Sequence, residues 1–360
     1  MARKLLPVAP EPGRPLYLSV RDTLQAAIDA GIFQPGEQMP STKDLSEQMQ
    51  VSLVTAHRAL QELVTGGVLQ RSQGKGTFIH ERYPQRREHL STCRIGLMIH
   101  AEASIADFFH SQVIEGLRRE ADRLNVDIIL LRFGEDMRNE CNGYLYLNPL
   151  PDELAAIESI TRRQPTMVIG ARTASPRVGS VDVDNVELAR QAVSHLVSQG
   201  RRRLMIVGGT DLLSNSRDRK AGFVEACRGH GLGLTGDSII TAASWRLTDD
   251  ERARLEGIFR DIKEPIGVFG AGYYMALDVY TAARNAGKRI PDDIAVVGVD
   301  DPPSAGHLSP GLSTMRQPLV QLGQSAIAAL VDLVRRPTRP AMAHTLFAEL
   351  IERESTSCRT

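Results

Sequence analysis

Four cysteines in 360 residues, a single tryptophan and a formal net charge of zero set the first limits on this chain. Cys93, Cys141, Cys227 and Cys358 are scattered, with no Cys-x-x-Cys pair and no histidine at ligand spacing. Neither a disulfide framework nor a zinc cluster is expected, and the four read as ordinary thiols. No segment reaches the ~20 apolar residues of a membrane span. The start, Met1-Ala2-Arg3-Lys4-Leu5-Leu6-Pro7, is basic but has no apolar run long enough for a secretory leader. A cytoplasmic location without membrane partners is expected. Enzyme signatures are missing too. Gly267-Val268-Phe269-Gly270-Ala271-Gly272 is glycine-rich but lacks the order of a nucleotide loop, and no nucleophile or metal cluster is legible. The chain is expected to be no enzyme and to carry no cofactor.

The charge balance gives no sign of nucleic acid either. Residues 1–90 hold eleven Lys plus Arg against nine Asp plus Glu, so any DNA affinity must come from placement on one face. Hydrophobic content of 42% and charged content of 24% are ordinary for a globular protein. At this length, two or three domains are expected.

What is present is concentrated first between Pro15 and Ile79. Val20, Leu24 and Ile28, at four-residue spacing, line one face of a helix that Gly31 ends. After the turn Gln34-Pro35-Gly36, Ser41-Thr42-Lys43-Asp44 has the pattern of a capped helix start, with an acid in the positive first turn. Leu45 and Met49 carry that helix inward. Val51 fills a turn, Ser52 is placed to cap a third helix, and Ala56, Ala59, Leu60 and Leu63 form its buried stripe. Val68 to Arg71, the turn Gln73-Gly74-Lys75-Gly76 and Thr77-Phe78-Ile79 read as a two-stranded wing.

These residues carry a resemblance. Pro15-Leu16-Tyr17, Gln34-Pro35-Gly36, Met39-Pro40-Ser41, Val51-Ser52, Ala59-Leu60-Gln61-Glu62-Leu63 and Gly74-Lys75-Gly76-Thr77-Phe78 follow the order of the winged-helix head of GntR-type bacterial transcription regulators. A helix enters the major groove with its N-terminal half toward the bases, which makes Ser52, Leu53, Thr55, His57 and Arg58 the candidate readers. The resemblance adds Ser41 and Lys43 at the start of helix two and Gln73, Gly74 and Lys75 at the wing tip. For Ser52 and Thr55, local capping competes with reading, and His57 reads equally as an inert exposed residue. Leu53 and His57 depart from the family, where arginine is common, which puts its guanine contacts in doubt.

His80 to His89 is polar and broken by Pro84, a linker in which Arg86-Arg87 reads as a tether more readily than as a DNA contact. The boundaries expected are a head over 1–80, a linker over 81–93 and a second part over 94–360. That part alternates strand and helix. Ile95 to Ile99 suits a buried parallel strand, followed by a helix from about Phe109 to Leu124 and strands Val126–Leu131, Tyr144–Leu147 and Thr166–Ile169, with a helix after Pro151. A second series has a helix through Ala189, Val193, Leu196 and Val197, strand Leu204–Val207, a helix from about Ser216 to Arg228, strand Ile266–Phe269, helix Ala276–Ala286 and strand Ala295–Val299. Two such lobes make a cleft at the carboxyl ends of their strands.

Val183-Asp184-Asn185, His195-Leu196, Gly200-Arg201-Arg202, Ser216 to Arg219 with Gly222-Phe223, Ile290 to Asp301 and Leu312-Ser313-Thr314-Met315 resemble the effector domain of LacI/GalR regulators, which is similar to periplasmic sugar-binding proteins. The expected architecture is therefore α/β, an N-terminal winged helix-turn-helix plus a two-lobed periplasmic-binding-protein-like domain, a layout similar to the arabinose repressors of bacilli. The resemblance implies a homodimer on a double-stranded DNA operator, controlled by a small sugar-like effector. It implies Arg219 and Asp300 as polar effector contacts, Trp245 as a stacking ring or a core residue, and Phe108 and Phe109 at the cleft edge or, for one of them, in the core. Arg172 is a weaker candidate. Gly272-Tyr273 stands where the family has Asn-Asp, so Tyr273 or Tyr274 is expected to supply a phenol or a ring there. That departure also leaves open a sensor that only dimerises. The interval from Phe133 to Tyr144 is too short for the family's helix beside the dimer interface, so a different or weaker dimer is expected.

Overall fold

The computed structural model describes residues 15–29, 31–65, 67–72, 76–81, 93–100, 104–133, 141–160, 164–173, 175–336 and 340–357. The chain divides into two compact units, Met1–Thr92 and Cys93–Thr360. The expected wing tip Gln73-Gly74-Lys75, most of the expected linker, Cys358 and residues 134–140 of the shortened interval lie outside the described residues.

In the first unit, α1 (Leu16–Asp29), α2 (Thr42–Met49) and α3 (Leu53–Thr65) precede the antiparallel pair β1 (Leu69–Ser72) and β2 (Gly76–Ile79). The apolar spacing does what it predicts, since Val20, Leu24, Leu45, Met49, Ala56, Ala59, Leu60 and Leu63 are all buried in one core with Leu69 and Ile79. β1 starts at Leu69, one residue after the expected Val68. Backbone bonds from Met39 N to Thr77 O (2.8 Å) and from Ile79 N to Glu37 O (2.8 Å) tie the turn before α2 to the wing.

In the second unit, β3 (Cys93–Ile99), α4 (Phe108–Leu124), β4 (Val126–Arg132), β5 (Gly143–Leu147), α5 (Pro151–Ile160), β6 (Thr166–Ile169) and β7 (Val178–Val183) build the first lobe. The second follows with α6 (Asn185–Ser198), β8 (Arg203–Gly208), α7 (Ser214–Gly229), β9 (Ile239–Thr241), α8 (Asp249–Asp261), β10 (Ile266–Gly270), α9 (Tyr273–Asn285), β11 (Ile294–Val299) and β12 (Ser313–Arg316). The chain ends with α10 (Leu319–Arg335), β13 (Ala343–Leu346) and β14 (Glu349–Ile351). The described strands form two six-stranded sheets, in the orders β13-β7-β6-β5-β3-β4 and β14-β12-β11-β10-β8-β9. Pairing is parallel throughout except between β12 and β14.

The chain crosses between lobes more than once. After β7 it enters α6, which packs on α7 and the second sheet; after β12 it enters α10, which returns to α4 and the first sheet. Between β13 and β14 it crosses again. The α6–α7 contact is close because of Gly222, where an added Cβ would lie 2.4 Å from the Val186 carbonyl oxygen. Among the described residues no helix is long and apolar enough to cross a membrane.

The sequence reading leaves out β7, β9, α8, β12, α10, β13 and β14, and starts α9 three residues late. β7 hides because Ser180 and Asp182 are buried within it, which breaks the apolar run that marks an interior strand. α9 begins at Tyr273 behind Gly272, which offers no side-chain cap for a reader to find. The second unit's first strand takes in Cys93, the last residue of the expected linker.

Candidate functional site

The first unit presents α3 as its candidate nucleic-acid interface. Both helix starts consume the hydroxyls that cap them. Ser41 Oγ accepts from Asp44 N (3.2 Å) and donates to Asp44 Oδ2 (2.7 Å), while that carboxylate accepts from Ser41 N (3.2 Å). Ser52 Oγ accepts from Thr55 N (3.1 Å) and shares a hydrogen with Thr55 Oγ1 at 2.8 Å. The local role weighed for Ser52 and Thr55 is thus occupied in the structure. Arg58 lies over the Tyr17 ring, 4.0 Å from its centroid, so its guanidinium is drawn back to α1. Leu53 and Val54 are 55% and 76% exposed, and His57 and Lys43 are exposed too. Val54 is missing from the sequence-expected set. Two residues before Ala56 is about 200° around the helix, opposite the buried stripe, and that spacing is the signal for it.

In the second unit a cavity of about 680 Å³, counting its mouth, lies between the lobes at the carboxyl ends of the strands. The first lobe gives it Asp107, Phe108, Phe109 and His110 at the start of α4, and Asn148 after β5. From the second come Asn215 and Arg219 on α7, Trp245 after β9, Gly272, Tyr273 and Tyr274 at the start of α9, and Asp300 after β11. Gln317, at the crossing into α10, completes the wall. Six of the seven sequence-expected residues therefore meet in one place. The seventh, Arg172, does not line this cavity. It sits 3.9 Å from Asp184 and 3.8 Å from Asp218, with nearly half its side chain exposed.

The polar end is built around Arg219, which is 4% exposed. Its Nε donates to Asn185 Oδ1 (2.8 Å), Nη1 to the Ala271 carbonyl (2.8 Å) and Nη2 to Gln317 Oε1 (3.4 Å). Nε, Nη1 and Nη2 each make one of these bonds, and the side chain lines the cavity. Burial lowers the Arg219 pKa, opposed by the carboxylates of Asp300, Asp182 and Asp218. Asp300 sits at φ 70°, in the left-handed region, and its Oδ1 accepts from Gln317 Nε2 at 2.6 Å. Burial raises the Asp300 pKa, against Arg219 and the Gln317 bond. Beneath them Asp182, 5% exposed, is pushed up to about 6 by burial, although the Val183 N–H and Arg219 favour its charged form.

The apolar end consists of rings. Trp245 rests on glycine backbone, and a Cβ at Gly209 would lie 3.2 Å from its Cε3. Tyr273 shares a hydrogen with Ser304 Oγ at 2.7 Å, and the Arg246 guanidinium covers Tyr274 at 4.0 Å. Phe109 meets His110 edge to face, with centroids 5.4 Å apart. His110 Nδ1 lies within 2.8 Å of both Asp107 oxygens, and Asp107 also caps α4. Burial opposes it, yet the bonds from His110 hold the Asp107 carboxyl below its ordinary range. Among the described residues, His110 Nε2 and Asn215 Oδ1 are buried without a partner. Rings that cover C–H faces, next to acceptors and a guanidinium, suit a compact polyhydroxyl molecule.

Asp107, His110, Asn148, Asn215 and Gln317 escaped the sequence reading. Asn215 is one turn before Arg219 on α7, and Asn148 ends a strand, so spacing could have found both. His110 and Gln317 leave no such mark. Away from the cavity, Cys93, Cys141 and Cys227 are in no disulfide, and burial pushes Cys227 up to about 11.

Comparison with known proteins finds a family match within each unit. Residues 16–79 match the family of bacterial regulatory proteins of gntR type, and residues 193–356 match the periplasmic binding protein-like domain. The arabinose metabolism transcriptional repressor of Geobacillus stearothermophilus is 25% identical, over 95% of this chain and 98% of that protein. The ribose operon repressor of Bacillus subtilis is 26% identical, over 73% of this chain and 80% of that one. Among solved structures, the regulator CelR in complex with cellobiose has a TM-score of 0.66 at 22% identity, covering 88% of this chain and all of that one. The lac repressor dimer bound to operator and an anti-inducer has a TM-score of 0.66 at 20% identity, covering 78% of this chain and all of that one. At those identities the two structures speak for the fold alone.

Proposed function

As a transcription regulator that joins a GntR-family head to a periplasmic-binding-protein-like domain of the LacI/GalR type, the chain is, we propose, a cytoplasmic repressor released or engaged by a small molecule held between its lobes. The effector is a sugar or a related polyhydroxyl metabolite. The cavity supports this reading, because aromatic rings from both lobes and the Arg219–Asp300–Gln317 cluster line one space. The relatives that are named for arabinose and ribose support the same chemistry. Arg219 and Asp300 hold hydroxyls, Trp245, Phe108 and Phe109 cover the ring, and Tyr273 supplies a phenol.

The response follows from the crossings. Gln317 bonds both Arg219 and Asp300 and begins the segment that returns to the first lobe. A ligand that takes up those groups favours one lobe arrangement over another, and DNA affinity shifts by its difference in affinity for the two. The protein acts as a homodimer on a two-fold operator, with α3 in the major groove of each half-site and Lys43 toward the backbone. Thermal melting against a panel of neutral sugars, sugar acids and nucleosides tests the sensor. A saturating effector at a hundred times its Kd adds about 2.7 kcal/mol, which raises Tm by several degrees. A flat response to the whole panel favours a domain that only dimerises.

A further inference from the structure

The head leaves few polar groups with which to read bases. On the first turn of α3 the Ser52 and Thr55 hydroxyls close a cap on each other, and one turn later Arg58 is stacked on Tyr17. What projects instead is apolar, with Leu53 55% and Val54 76% exposed side by side. Two branched aliphatic side chains at the leading end of a short helix stabilise nothing inside the head, whose core lies on the opposite face. In the major groove the one apolar feature on a base edge is the thymine 5-methyl group.

We propose that Leu53 and Val54 are specificity residues that read thymine methyls, so that each operator half-site presents adjacent thymines to the first turn of α3. The inference rests on α3 being the reading helix. Guanine needs a donor pair such as a guanidinium fork, and the one arginine of α3, Arg58 on its second turn, is held at Tyr17. His57 and Lys43, both exposed, remain for one polar base contact and for phosphate. Burying one methyl contributes ~0.8 kcal/mol, or about fourfold in affinity.

The test starts from duplexes selected out of a random pool by the full-length protein. Each thymine of the selected half-site is replaced singly by deoxyuridine, which removes only the 5-methyl group, and binding is followed by fluorescence anisotropy. Two positions per half-site should each weaken binding about fourfold. In Leu53→Ala and Val54→Ala proteins, whose exposed positions accept alanine without loss of fold, one of those sensitivities should vanish in each variant, a coupling read by the double-mutant cycle. Uridine tolerated at every position, or sensitivity unchanged in both variants, would overturn the inference while α3 remained the reading helix. A pool that yields no preferred sequence would overturn the reading of α3 and the inference with it.

Discussion

Asp182, buried beneath the cavity, is tuned at a cost to the fold. The ordinary carboxyl value is 3.8 and burial moves Asp182 to about 6, so the folded protein binds its proton more tightly than the unfolded chain does. Below pH 4 both states are protonated and nothing is lost. Between pH 4 and 6 the unfolded chain releases a proton that the folded state keeps, so stability falls as pH rises. Above pH 6 the penalty is complete, at most about 3 kcal/mol. Asp182→Asn should flatten the stability profile between pH 4 and 6 and raise Tm at neutral pH; denaturant melts across that range are the check. An unchanged slope would mean that another group, such as Asp300, whose pKa is also raised, carries it. Arg219 is the opposite case. Its removal would orphan acceptors on Asn185, Ala271 and Gln317, so it is a structural residue as well as a candidate contact.

At the scale of elements, local rules and long-range packing divide the outcome. The start of α2 is governed by a local rule, and Ser41→Ala should cost the head about 1 kcal/mol by opening the capping box. Urea unfolding of the variant against wild type measures it, and a loss below a few tenths of a kcal/mol would show the cap to be dispensable. Such features were legible in the sequence. Ser41 with Asp44, the Ala56–Leu63 stripe and the apolar strand Ile95–Ile99 each announce themselves within a few residues. β7 was not legible, because it buries Ser180 and Asp182, and Asp182 makes sense only once Arg219 and Asn185 are folded near it. The cavity shows the same division. Residues at motif positions such as Arg219, Asp300 and Trp245 were found, whereas His110 and Gln317 acquire a role only where helices from distant segments converge. Arg172 illustrates the converse, since it follows a strand as a cleft residue does, yet pairs with Asp184 and Asp218 instead.

At the scale of the whole molecule, the proposed function couples operator binding by the head to effector binding between lobes that the chain crosses repeatedly. The coupling is reciprocal by thermodynamic necessity: if effector changes operator affinity by some factor, operator changes effector affinity by the same factor. Couplings of this kind typically amount to about 1–3 kcal/mol, or roughly five- to 150-fold. Titration calorimetry of the effector found by the thermal panel, with and without a saturating selected operator, is the direct measurement. The account predicts that effector affinity differs at least fivefold between the two titrations, and that operator affinity moves by a matching factor when effector is present. Equal effector affinity in both titrations, with operator demonstrably bound, would contradict the account.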